Sequence, residues 1–501
     1  MIGNITNGGR AYGTFAAQKA GCPVTSHCTP SKPPPAPPPP GPTPPPGPAP
    51  PPAPHPPAPV WPLPRHLDCH ARATGKAELL SRSVTLKLTG PGAGSSVAVQ
   101  AAARYQLLLR DAGSGVGLVQ EVTVAVESTS DSLGQTTNYS YALHYGVRVE
   151  NVAGGSAATA VVASAATPFG VGYAMETLLQ LATPEAQASC GGGFSVVDEP
   201  DYEHRGVLLD TGRRFYPLEL LESTIEAMAM FKLNILHLHL NEARFRVESK
   251  VFPKLNQPQN CSECGYYSQE DIKRLVSFAY QRGVRVVPEF ELTAHAAALC
   301  DAWKDEGVPK CCSGIYTPML PNDTSGNTTR LVGQLLKEMA ALFPDPVVHI
   351  GGDEARYQPG ATGPCTINAT RSLQQNTMQQ LLVLGKQPMG WQEILLETGA
   401  AAEFPTAIVD TWSKPGTWAE VAALGGHRSV VSLPSSLYLD GAATCGGTTH
   451  RGSYRPGVWF DITDGAKNGV YSSAFPFHFP VSCLSGACLG IMSSPFIKVA
   501  H

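Results

Sequence analysis

Residues 205–240 read RGVLLDTGRRFYPLELLESTIEAMAMFKLNILHLHL. An apolar run (RGVLLD) ends in an acid, and a polar turn follows. Leu221, Ile225, Met228 and Ala229 then fall on one face of a 3.6-residue period. A second apolar run (ILHLHL) closes the unit. Strand, amphipathic helix, strand is the signature of a parallel βαβ crossover.

The pattern continues toward the C-terminus. Further strand-like runs are VRVVPEFEL (284–292), VVHIGGDE (347–354), PMGWQEIL (388–395), AIVDTW (407–412) and SVVSLPSSLYLD (429–440). Between them, Ile272, Leu275, Val276 and Ala279 share one helical face, as do Val332, Leu335, Leu336 and Met339. Seven such strands predict an α/β fold, a TIM (β/α)8 barrel over residues 201–501, in preference to an open sheet. Asp210, Glu289, Glu291, Asp353, Glu354, Trp391, Trp412, Tyr438 and Asp440 all fall at C-terminal strand ends. Barrels of this kind build their active sites there.

Acids combined with Trp and Tyr suit a sugar site, where aromatic faces stack on C–H surfaces and carboxylates handle protons and hydroxyls. Trp391 or Trp412 alone reads equally well as a core or rim tryptophan, so the constellation carries the reading. Gly351-Gly352 lets the backbone leave strand geometry just before Asp353-Glu354. The plainer reading of that pair is two solvated acids. Adjacent Cα atoms lie only about 3.8 Å apart, which disfavours an acid and a nucleophile on opposite faces of a sugar. The pair better suits Glu354 protonating a leaving oxygen while Asp353 holds a substrate group that attacks internally.

The stretch Arg205 to Asp440 resembles the catalytic barrel of glycoside hydrolase family 20, the β-N-acetylhexosaminidases. HIGGDE is similar to the catalytic signature of that family, residues 205–240 to its opening βαβ unit, and GWQEI, DTW and LYLD to its sugar-binding strand ends. The resemblance implies Glu354 as general acid, then base, with Asp353 orienting the substrate 2-acetamido group. It implies that Arg213 binds hydroxyls of the terminal sugar, that Trp391 and Trp412 wall the acetamido pocket, that Tyr438 donates to the acetamido oxygen, and that Asp440 binds a hydroxyl. His295 matches a histidine beside the acid. It further implies a loop-tying disulfide joining Cys311 or Cys312 to Cys365. No cofactor and no metal are implied.

Three departures stand out. Where the family has Asp-Asp-Gln after LHL, this chain has Asn241, Glu242 and Ala243. Its Pro-Glu-Phe-Asp is Pro288-Glu289-Phe290-Glu291 here, and the Gly before the histidine is Ala294. Both changes predict a weakened shell around His295 and Glu354. The last strand, with its Trp-Glu segment, is replaced by YSSAFPFHFPVSCLSGACLGIMSSPFIKVAH, so the eighth strand is expected to be missing or divergent.

Upstream, residues 65–200 alternate short β-like runs (SVTLKL, YQLLL, EVTVAVES, YSYALHYGVRVENV) with a helical patch around AMETLLQLA. They predict a small α+β domain of the kind that precedes such barrels. Residues 30–64 are almost only Pro, Ala and Gly, a polyproline II linker reaching roughly 110 Å at about 3.1 Å per residue. An inert spacer is favoured over a ligand for a proline-binding module or a glycosylated stalk. Residues 1–29 form a stub too short to fold alone.

Thirteen cysteines and sequons at Asn4, Asn138, Asn260, Asn322, Asn327 and Asn368 point to the secretory route, although no basic start and apolar h-region of a signal peptide is seen. Cys261-x-x-Cys264 lacks a second ligand pair and reads as a disulfide or reduced pair rather than zinc. His237 and His239 share one strand face, where packing is favoured over metal. A net charge of -4 argues against nucleic acid, and no apolar run long enough to span a membrane occurs. The expected partner is a glycan, glycoconjugate or chitin-oligomer substrate, with a homodimer left open. The expected activity is a retaining exo-glycosidase acting on terminal β-linked N-acetylhexosamine (GlcNAc or GalNAc). The rival is a catalytically impaired carbohydrate-binding or wall-associated protein on a degraded barrel.

Overall fold

The computed structural model of the chain describes residues 60–70, 79–114, 117–131, 141–148, 158–190, 193–256, 265–315, 317–322, 325–356, 360–413, 416–432 and 495–499. Strands β1 (His66–His70), β2 (Leu80–Thr89), β3 (Val119–Val126), β4 (Tyr141–Arg148), β5 (Ala158–Ala165) and β6 (Gly193–Asp198) form one mixed sheet in the order β1-β6-β4-β5-β3-β2. Helices α1 (Ser96–Ala112) and α2 (Pro168–Leu181) share an apolar core with it that includes Val84, Val122, Val124, Tyr105 and Leu178. A disulfide, Cys69–Cys190, ties β1 to the end of α3 (Pro184–Cys190).

One run differs from its sequence reading. YQLLL, read as strand-like, lies inside α1. Four-residue spacing explains this: Val97, Ala101, Tyr105 and Leu109 are all buried on one face. The side chain of Ser95 caps the helix by accepting from the Val97 N–H. Five residues are too few to reveal that period.

The second body holds seven parallel strands: β7 (Arg205–Asp210), β8 (Ile235–His239), β9 (Arg285–Glu289), β12 (Val347–His349), β13 (Gln387–Trp391), β14 (Ile408–Thr411) and β15 (Ser429–Val431). A short hairpin, β10 (Cys312–Ser313) and β11 (Pro318–Met319), lies between β9 and β12 in the chain. Helices α4 (Leu218–Met230), α5 (Gln269–Tyr280), α6 (Ala297–Trp303), α7 (Asn327–Leu342), α8 (Ile367–Val383), α9 (Glu393–Leu396) and α10 (Thr417–Ala423) separate the strands. This is the TIM-barrel arrangement. β16 (Pro495–Val499) pairs antiparallel with both β15 and β7 and closes the ring. The eighth strand thus runs against the direction that a regular (β/α)8 barrel requires.

Period-two alternation sorts the strand side chains. Leu236, Leu238 and Leu240 pack with the helices in the large core, while Ile235 belongs to a separate inner cluster with Leu208, Val287, Val347, Met389, Trp391, Ile408 and Val430. His237 and His239 share the parity of Ile235 and both are buried. The bidentate pair of Arg285 with Asp345 (2.7 Å for each bond) joins the start of β9 to the approach to β12, at the end of the barrel associated with stability rather than chemistry.

Candidate active site

Asp353 and Glu354 follow β12 through Ile350, Gly351 and Gly352. Gly351 (φ 67°) and Gly352 (φ 111°) both adopt left-handed backbone. At Gly351 a Cβ would stand 1.9 Å from Glu291 Oε2, so only glycine admits the Glu291 carboxyl beneath the chain. Gly352 donates its N–H to that same oxygen at 3.3 Å. The loop therefore wraps over a buried glutamate and presents the two acids upward. Their side chains keep 22% and 32% exposure, enough to meet a ligand.

His295, only 4% exposed, touches both acids: Nε2 lies 3.6 Å from Asp353 Oδ2 and 3.5 Å from Glu354 Oε2. Its Nδ1 meets Glu242 Oε1, and its N–H donates to Thr317 Oγ1 at 2.8 Å. Burial alone would favour the neutral ring, but the hydrogen bonds and charges of Asp353 and Glu242 push His295 up to about 10. An imidazolium there holds Asp353 below the usual carboxylate range, against the upward push of its own burial.

Arg213 bridges two acids, with Nη1 2.5 Å from Asp210 Oδ2 and Nη2 2.5 Å from Glu242 Oε1. It stays half exposed. Asp210 also binds His239 Nδ1 at 2.9 Å. These charges outweigh burial and hold Asp210 below its ordinary value. Glu242 thus links Arg213 to His295. Residues at the positions that depart from the family pattern after LHL and in the β9 segment make contacts of their own. Asn241 and Glu291 exchange hydrogen bonds, Asn241 Nδ2 to Glu291 O at 3.0 Å and Glu291 N to Asn241 Oδ1 at 2.8 Å.

Glu291 abuts Asp353. Burial first, and then the Asp353 charge, pushes the Glu291 carboxyl well above the usual range. Two residues earlier, Glu289 is the opposite case. It meets His237 Nε2 at 2.9 Å and His349 Nδ1 at 3.0 Å and accepts from Trp391 Nε1 at 2.8 Å. Burial would raise it, but the charges of His349 and His237 outweigh burial and hold it well below. Among the described residues, three sets present ligand atoms within 4.8 Å: His237–Glu289–His349, His239–Glu289–Glu291 and His295–Asp353–Glu354. The first and third are already tied internally by the contacts above. His237 and His239 are accordingly carboxylate partners rather than plain packing groups.

Trp391 is buried against this cluster, and Trp412 leaves β14 partly exposed. Trp412 Nε1 donates to Glu393, 3.2 and 3.3 Å from its two oxygens. Burial, then the Asp353 charge, pushes Glu393 up to about 8. Sequence reading singled out Asp353, Glu354, Arg213, His295, Trp391 and Trp412, and the structure gathers them at the C-terminal ends of the strands. Tyr438 and Asp440 lie outside the described residues, as do Cys261 and Cys264. In the sequence Glu242 stands out only as a departure from the family pattern, and Glu393 only as part of GWQEI. Their shared signal, an acid at a strand end, was visible. The cysteines pair as Cys300–Cys311 and Cys312–Cys365, the second bond joining the β10 hairpin to the segment after Glu354.

The family model described as glycosyl hydrolase family 20, catalytic domain, matches residues 202–455. A beta-hexosaminidase subunit beta from Felis catus is 30% identical over 292 residues, covering 54% of this chain and 54% of that protein. A beta-hexosaminidase from Porphyromonas gingivalis is 32% identical over 308 residues, 54% of this chain and 38% of that one. The chain spans about half the length of the curated relatives it matches. Among solved structures, the GH20 beta-N-acetylhexosaminidase from Streptomyces coelicolor superposes with a TM-score of 0.63 at 22% identity, over 82% of this chain and 83% of that one. At that identity the superposition speaks to the fold alone.

Proposed function

This chain belongs to glycosyl hydrolase family 20, and on that premise we propose that it is a retaining exo-glycosidase hydrolysing terminal, non-reducing β-linked N-acetylhexosamine from glycans, glycoconjugates or chitin oligomers. The observation that carries the reading is one imidazole, His295, in contact with two adjacent, solvent-open acids of unlike surroundings. Glu354 donates its proton to the glycosidic oxygen as the C1–O bond breaks. Asp353 accepts from the acetamido N–H, which strengthens the carbonyl oxygen that bonds to C1 and gives an oxazolinium-like intermediate. Water then attacks C1, Glu354 takes the proton, and the acetamido group is restored. Two displacements at C1 leave its configuration retained.

The remaining groups position the sugar. Arg213, half exposed between Asp210 and Glu242, binds hydroxyls of the terminal residue. Trp391 and Trp412 wall the acetamido pocket, with Tyr438 donating to the acetamido oxygen and Asp440 binding a hydroxyl. Three disulfides among the described residues and the sequons support a secretory route. Among the described residues no helix is long and apolar enough to cross a membrane.

Turnover of a chromogenic β-N-acetylglucosaminide, set beside the plain β-glucoside, tests the reading. Acetamido-dependent hydrolysis is expected, with Glu354→Gln lowering kcat by at least about 100-fold. A folded protein with no preference for the acetamido substrate overturns the assignment.

A further inference from the structure

We propose that Glu393 is a positioning residue of the acetamido pocket, fixing the rotation of the Trp412 indole ring so that its face, rather than its edge, meets the substrate. The inference rests on the function proposed above and adds a residue to it.

Three consecutive residues at the end of β13 each grip a different part of the pocket. Trp391 points its indole N–H at Glu289 (2.8 Å). Gln392 Oε1 accepts from the backbone N–H groups of Trp412 (3.0 Å) and Ser413 (3.1 Å), and its Nε2 donates to Ser413 Oγ at 2.5 Å. Glu393 takes the Trp412 indole N–H between its two oxygens. The Gln392 bonds fix the backbone of Trp412 but leave the ring free about its terminal torsion, which is broad for an aromatic side chain. Trp412 is partly exposed and packs at the border of the inner apolar cluster, so packing does not set that torsion alone. The bond from Glu393 does, because a single donor at one corner of the indole admits one ring orientation.

The placement of Glu393 is unfavourable in itself. Its carboxyl is buried and shares the field of Asp353, whereas a glutamate with no task there would sit more comfortably in water. An amide offers the same acceptor without the charge. The role assigned here is that of an acceptor, which makes glutamine the conservative replacement.

The test compares E393Q, E393L and E393M on the acetamido substrate and on the plain β-glucoside. Loss of the acceptor in E393L or E393M should raise KM for the acetamido substrate about tenfold, about the worth of one hydrogen bond, while kcat holds within about threefold. E393Q should restore KM to within about threefold of the parent. On a Trp412→Phe background, which lacks the indole N–H, E393L should add less than about a twofold rise, because the two changes remove one interaction. Full additivity there, an unchanged KM in E393L and E393M, or E393Q failing as badly as E393L each overturns the proposal. The Met variant, matched in length, covers a Leu variant that does not fold. If the parent binds N-acetylglucosamine over glucose without turning over, the proposed function fails on its own. The same variants are then read by the dissociation constant from tryptophan fluorescence. A parent that binds neither sugar overturns both.

Discussion

His295 and Glu354 both hold left-handed backbone, φ 49° and 53°, and their side chains meet, Nε2 to Oε2, at 3.5 Å. Positive φ at a non-glycine residue is uncommon, and for glutamate it carries a real conformational cost. Here two such residues, on the segments that follow β9 and β12, face each other. Surroundings hold each in place: Thr317 takes the His295 N–H, and the Glu354 carbonyl accepts from Arg356 N at 2.7 Å. The strain lies where two loops must turn inward to bring an imidazole and an acid together.

Glu354→Gly should therefore be more stable than Glu354→Ala by about 1 kcal/mol, the left-handed penalty that a Cβ carries. Urea unfolding of the two inactive variants measures it. Equal stabilities would mean that the backbone relaxes once the carboxylate is gone.

Gly351→Ala should cost upward of about 2 kcal/mol, since the added methyl meets both a positive φ and the Glu291 carboxyl. A second change, Glu291→Ser, should recover part of that loss by opening the space. Thermal unfolding of the single and double variants decides the matter. Purely additive losses would show that the clash with Glu291 is not the cause.

His295 supplies a pH signature. Its folded value near 10 lies above the unfolded value of 6.5, so its contribution is fully present below about 6.5 and is lost as pH rises through about 10. Over that window the native state binds one more proton than the unfolded chain, a slope of at most about 1.4 kcal/mol per pH unit. Replacing Glu242 by Gln removes one of the two acids that raise His295, so the decline should be shallower than in the parent between pH 7 and 10. Parallel stability profiles would exclude the Glu242–His295 pair as its source.

The two disulfides on the loops beside the site should differ in worth. Cys312–Cys365 spans 53 residues and Cys300–Cys311 spans 11. Chain-entropy arguments assign about 4 and about 3 kcal/mol respectively. Cys312→Ala with Cys365→Ala should lower the melting temperature more than the corresponding pair at Cys300 and Cys311. The reverse order would show that native contacts rather than loop length set the values.

The family and its barrel were legible because their signals are local. A 3.6-residue period, an apolar strand and an acid at its end can each be read within ten or so residues. YQLLL misled because a five-residue apolar run carries either period. Glu242 was not legible for a different reason: its value lies in reaching Arg213 and His295, which stand 29 and 53 positions away in the chain. Glu393 stood within a quoted motif, but its partner Trp412 is on the next strand.

From the sequence alone came the order of strands and helices, the gathering of acids at one end of a barrel, and a Gly-Gly-Asp-Glu turn suited to an acid beside an orienting carboxylate. Only the tertiary structure decided how the surroundings act on each acid, since Glu289 and Glu291 differ by two residues and are pushed in opposite directions. It also decided that Cys312 rather than Cys311 joins Cys365, and that β16 runs antiparallel to the strands that it closes. Period and composition are written along the chain, whereas charge state, disulfide choice and strand direction depend on which distant groups the folded register brings within a few ångströms.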